Sequence, residues 1–145
     1  MVVLRDKYRQ VGAVCYKMID DSYFMDKYKI FSPKQLYPGQ PPAQTIGGTI
    51  LFRWARVVCS EFTTTLQIWN GSCYNAIYTS ECNKDTQTTV LMNLKGQPVG
   101  TVQSSTVGAV NGWHIDVLPA INRVLVLCFA AILDDVHTHT STNGR

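Results

Sequence analysis

Ten consecutive apolar residues, Val124 through Leu133, lie between Arg123 and the acidic pair Asp134-Asp135, and almost everything before them is patterned as short strands. A surface helix keeps a polar stripe, so a segment apolar on every side must be surrounded by protein or by lipid. At about 1.5 Å per residue it spans roughly 15 Å, half of a hydrocarbon core of about 30 Å, which leaves protein. The run predicts a helix over 118–136, with Pro119 in its first turn, sheathed by sheet. Burial at roughly 1.5–3 kcal/mol per large side chain makes it a main contributor to stability. Residues 137–145 read as a flexible tail.

Upstream, segments 10–18 and 23–31 are rich in Val, Tyr, Phe and Ile, with the turn residues Asp20-Asp21-Ser22 between them, and both read as strands. Segment 32–48 holds Pro33, Pro38-Gly39, Pro41-Pro42 and Gly47-Gly48, which bias it toward an extended connection or a hinge. Strands follow at 50–59, at 63–69 and 73–79 around Asn70-Gly71, and at 88–94 and 99–103 around Lys95-Gly96. Residues 104–108 read as loop and Asn111-Gly112 as a turn. In the last strand Trp113, Ile115 and Val117 alternate inward while His114 and Asp116 face out. Many antiparallel strands ending in one apolar helix suggest a sheet curled around a helical axle, since a flat sheet covers only one side of a rod.

Composition fits one globular domain, 1–136, in a chain of 145 residues that is 46% hydrophobic and 16% charged,. Five cysteines (Cys15, Cys59, Cys73, Cys82, Cys128) are odd in number and lack CxxC spacing, so they read as reduced thiols of a cytoplasmic protein, nuclear or membrane-peripheral placement being the alternatives. A Cys73–Cys82 bridge across a hairpin is the competing reading. No signal peptide or transmembrane segment is expected. Asn70-Gly71-Ser72 matches a glycosylation sequon, but serves better as a hairpin turn.

The run from Tyr28-Lys29-Ile30 through Leu36-Tyr37-Pro38-Gly39-Gln40-Pro41-Pro42 to Trp54-Ala55-Arg56-Val57 resembles the tubby C-terminal-like, LURP-one-related domain family. The ending is similar too: Gly112-Trp113-His114-Ile115-Asp116-Val117 leads into the apolar helix and Asp134-Asp135. The resemblance covers about 28–136. It implies a closed twelve-stranded antiparallel β-barrel threaded by a hydrophobic C-terminal helix, a mainly β fold with one helix. The family domain usually approaches two hundred residues, so this shorter chain is expected to form a reduced barrel or to leave an edge for a partner to cover. Tubby proteins proper bind phosphoinositide headgroups, and scramblase relatives act at membranes. None of their ligand-contacting positions can be matched residue by residue.

Charge supplies the candidate chemistry. Net charge is +3, but residues 1–60 carry nine bases against four acids, a balance of +5. Lys27, Lys29, Lys34, Arg53 and Arg56 surround two neighbouring strands and are the expected ligand-binding residues, because ammonium groups and guanidinium forks hold phosphate oxygens. Strand period opposes one grouping: Arg53 and Arg56 differ by an odd number and should face opposite sides of a regular strand. Trp69 and Met92 read as sheet core. No catalytic residue, cofactor or metal is expected. The thiols with His114, His137 and His139 form no nucleophile-and-base spacing, and His137-Thr138-His139 beside Asp134 and Asp135 reads as tail. The expected role is a non-enzymatic binding module for anionic phospholipid headgroups. The alternatives are a protein partner or homodimer using an open sheet edge, with nucleic acid less favoured.

Overall fold

The computed structural model describes residues 1–18, 26–60, 63–83, 88–107 and 110–142, and the side chains among them except those of 83, 104–107, 110–111 and 137–142. The described residues form β1 (Val2–Arg5), β2 (Val11–Lys17), β3 (Asp26–Ser32), β4 (Gln44–Ile46), β5 (Thr49–Cys59), β6 (Thr64–Trp69), β7 (Tyr74–Asn83), β8 (Thr88–Asn93), β9 (Pro98–Val107), β10 (Val110–Val117) and α1 (Arg123–Thr142). The strands build one 10-stranded antiparallel sheet in the order β1-β2-β3-β5-β6-β7-β8-β9-β10, with β4 paired to β5 off this path. The sheet is not closed: among the described residues no ladder joins β1 to β10.

The helix nevertheless touches both ends of that order, contacting β1 and β2 on one side and β10 on the other. At about 4.8 Å between strands a flat sheet of this size is some 40 Å wide, far more than the 10–12 Å diameter of a helix, so the sheet must curl. Register shifts at Leu4/Arg5, Ile30/Phe31, Leu66/Gln67 and Leu91/Met92 supply the bends, since a bulge increases local twist. Gly100 allows β10 to close in, because a Cβ there would lie 2.8 Å from a Val117 methyl carbon and 3.0 Å from the Asp116 carbonyl.

One core results. Leu125, Val126, Cys128, Phe129, Ala130, Ile132 and Leu133 of α1 are buried together with Cys15, Ile30, Val57, Leu66, Leu91 and Val102, and every strand except β4 contributes inward side chains. The helix is not apolar toward protein on every side, however. Leu127 is 47% exposed, in line with exposed Arg123 and Asp134. Tyr28 of β3 ties α1 to the sheet just past the apolar run, its hydroxyl donating to the Asp135 carboxylate at 2.8 Å.

Several local expectations change. The helix opens at Arg123, not in the region of Pro119: Asn122 Oδ1 accepts the Val124 and Leu125 amides at 3.0 and 3.3 Å, a side-chain N-cap,. Pro119 instead sits in a turn closed by the Ile121 amide on the Leu118 carbonyl at 3.0 Å, where its fixed φ suits the second position. Helix continues to Thr142, through residues expected to form a tail. Asn111-Gly112 is no turn but part of β10, paired with Thr106 and Ser105, and 104–107 extend β9. Segment 32–48 is an ordered connection: buried Gln40 donates to the Arg53 carbonyl at 2.6 Å and accepts the Leu36 amide at 2.8 Å. Its end is a hairpin, β4 to β5, turned by Gly47 and Gly48 at φ of 55° and 82°, which glycine adopts without a Cβ penalty,. Cys73 and Cys82 stand at opposite ends of β7, roughly 30 Å apart at about 3.3 Å per residue, beyond any disulfide,. The turn at 20–22 and residues 23–25 of the expected second strand lie outside the described residues.

Removing the Phe129 ring should be severe: Phe129→Ala should lower unfolding free energy in urea by about 3–5 kcal/mol, while Leu127→Ala should cost under about 1 kcal/mol. Stability should also fall in alkali. Burial raises the Cys59 thiol from its ordinary 9 to about 11. Cys128 is raised by its hydrogen bond to Cys15 and by burial, and Tyr28 by burial and its bond to Asp135. With folded values above unfolded ones, this contribution is complete below about pH 9 and is lost as pH climbs toward 11, about 2 kcal/mol from Cys59 alone,. Urea midpoints at pH 7.5 and 10.5 measure it.

Candidate functional site

The outer face of β3, β5, β6 and β7, turned away from α1, carries the basic residues of interest. Inward positions on β3 are Tyr28 and Ile30, which leaves Lys27 and Lys29 facing outward. Lys29 lies directly opposite Arg56 on β5, and Phe31 opposite Arg53. Between these two pairs the register slips: Ile30 pairs with Ala55, the next residue Phe31 pairs with Arg53, and Trp54 is the extra residue. Trp54 and Ala55 both point into the core. The bulge resets the alternation, and Arg53 and Arg56 share one face despite their odd separation.

Two hydrogen bonds hold this irregularity. The Trp54 indole donates to the Lys34 carbonyl at 2.7 Å, and Gln40 caps the Arg53 carbonyl. Lys34 itself is set apart from the group: it follows β3, its exposed side chain belongs to neither strand, and its backbone is fixed by the inward Trp54 ring. Of the five expected ligand residues, then, Lys27, Lys29, Arg53 and Arg56 come together and Lys34 does not.

Two aromatic residues join them. Trp69 and Tyr74 face each other across the β6–β7 hairpin, ring centroids 5.1 Å apart in an edge arrangement. Asn70 fixes the hairpin by accepting the Ser72 and Cys73 amides at 3.0 and 2.9 Å. The Arg53 guanidinium lies 4.7 Å from the Trp69 ring centre and that of Arg56 4.4 Å from Tyr74, so each cation covers one ring of the pair,. Arg56 also donates through Nε to Gln67 on the neighbouring strand. Trp69 is therefore no core residue: the turn at Asn70-Gly71 sets it opposite Tyr74, and the β5–β6 register, with Arg56 opposite Gln67, puts both rings on the arginine face. Met92 on β8 is half-buried and lies outside the core cluster.

Among the described residues, none of Lys29, Arg53 and Arg56 meets a carboxylate. Like charges directly opposite on a sheet destabilise it, so the Lys29–Arg56 pair leaves a local positive field without an internal counter-ion,. The Tyr74 hydroxyl is buried with no hydrogen-bond partner among the described residues. Burial raises its pKa, while Arg53 and Arg56 pull it down. The arrangement can hold an oxyanion: guanidinium planes fixed by stacking keep N–H groups free for phosphate oxygens.

Elsewhere the chemistry is sparse. No group of three or more His, Cys, Asp or Glu suited to a metal occurs among the described residues. His114 pairs with Asp116 at 3.0 Å on the exposed face of β10. The side chains of His137 and His139 lie outside the described set. Among the described residues no helix is long and apolar enough to cross a membrane. Against known protein families, curated proteins and solved structures, the chain shows no match.

An unpartnered buried hydroxyl costs about 1–3 kcal/mol, so its removal relieves that cost. Tyr74→Phe should leave stability unchanged or raise it by up to about 1 kcal/mol in chemical denaturation, whereas Tyr74→Ala, which strips the ring from under Arg56, should destabilise.

Proposed function

We propose that the chain is a non-enzymatic binding module of the tubby-like, LURP-one-related kind, a reduced barrel around a central helix, that takes anionic phospholipid headgroups on its outer basic face. The observation that carries this reading is the bulge at Trp54, which turns Arg53 to the same face as Arg56, Lys29 and Lys27. Several cations on a shared face act together where scattered ones do not, each contributing about 1 kcal/mol near an anionic membrane surface. Stacking on Trp69 and Tyr74 orders the two guanidinium groups beforehand, so less side-chain freedom is lost on contact,. An antiparallel sheet wrapped on one apolar C-terminal helix supports this reading, with ten strands and an open side where the resemblance implies twelve strands and closure.

Co-sedimentation with phosphatidylcholine vesicles doped with phosphatidylinositol bisphosphate tests the proposal. The protein should pellet at low salt and be released as ionic strength rises. The double variant R53A/R56A should bind about 30-fold more weakly, a loss of about 2 kcal/mol, and Lys34→Ala should bind nearly as the parent does. Failure to pellet at low salt, or equal binding by R53A/R56A, removes the lipid reading.

A further inference from the structure

The free edge of β10 is a second, separate feature of the molecule. Among the described residues β10 pairs only with β9, in an unbroken register from Val110↔Val107 to Val117↔Gly100. An edge of this kind presents a row of unpaired N–H and C=O groups. The opposite edge is different in kind: β1 has four residues, and its register breaks at Leu4/Arg5, a device that blunts pairing,. Apolar surface gathers beside β10. Leu118 at its end is 53% exposed and Leu127 of α1 is 47% exposed. A cleft of about 330 Å³ between strand and helix is lined by Ile115, Val117, Val126 and Leu127, with Asp116 and Arg123 at its polar margin.

We propose that the occupant of this edge is β10 of a second copy of the chain, paired antiparallel about a two-fold axis at Ile115. The sequence of the strand is complementary to itself in that register. On the outer face His114 stands opposite the partner's Asp116, and Asp116 opposite the partner's His114. Because His114 and Asp116 already pair within one chain at 3.0 Å, the dimer closes a ring of alternating imidazole and carboxylate groups, each imidazole N–H facing a carboxylate acceptor, a favourable arrangement for cross-strand neighbours. On the helix side Ile115 meets the partner's Ile115, and Trp113 meets the partner's Val117, extending both cores. Bulky Leu118 falls opposite the partner's Gly112, around which there is open space. An isologous contact of this kind closes on itself and stops at two.

The test is solution mass by light scattering and sedimentation over a concentration series reaching about 1 mM. The parent chain should shift from 16.2 kDa to twice that mass. His114 and Asp116 side chains are 66% and 73% exposed, so variants there keep the fold. His114→Asp sets carboxylates against each other, and Asp116→Lys replaces the acceptor facing the partner's imidazole with an ammonium group, and each should weaken dimerisation about tenfold. The double variant H114D/D116K, which sets opposite charges across the axis, should recover it. A parent that stays monomeric throughout overturns the proposal. So does a dimer indifferent to both single variants, or a mass that keeps growing with concentration, as head-to-tail β1-to-β10 pairing would produce.

Discussion

Burial of the apolar faces of α1 is the constraint on which the rest of the structure depends. A helix with Leu125, Val126, Cys128, Phe129, Ile132 and Leu133 pointing in several directions cannot lie on a flat sheet without leaving some of them in water,. The sheet therefore bends until β1, β2 and β10, distant in strand order, all reach the same helix. The helix in turn fixes the curvature, because each inward side chain has its place against it. Tyr28 and Asp135 close this relation with a polar bond at the end of the apolar run.

Curvature has a local consequence for charge. The bulge at Trp54 bends the middle of the sheet and places two successive residues, Trp54 and Ala55, toward the core. The compensation appears on the other face, where Arg53 and Arg56 become near neighbours and settle on Trp69 and Tyr74. The same irregularity that helps wrap the helix thus assembles a cationic cluster with aromatic support. Without it, strand alternation would send one arginine into the core, where an unpaired guanidinium is costly. The fold and the candidate site have one origin.

The open side of the sheet follows from the same geometry. Where β10 and β1 fail to meet, the helix is uncovered, and Leu127 is the residue that shows. Apolar exposure, a regular strand edge and a cleft coincide there for one reason: the wrapping is incomplete at that point and nowhere else along the described strand order.

Much of this was legible in the chain. The period-2 segments and the Asn70 and Lys95-Gly96 turns fixed most strands of the sheet, because alternation and turn chemistry act over a few neighbouring residues,. The ten-residue apolar run fixed the existence of a buried helix for the same reason. Local signals misplaced its start, since Pro119 suits a turn as well as a first helical turn, and only the Asn122 cap distinguishes them. They passed over β4, a strand of three residues whose Gly47-Gly48 hairpin lies in a proline-rich connection. They also set Arg53 and Arg56 on opposite faces. A bulge is chosen by how two paired strands fit around a shared core, so the common face of those arginines, the rings beneath them and the unclosed edge of β10 were decided by tertiary structure alone.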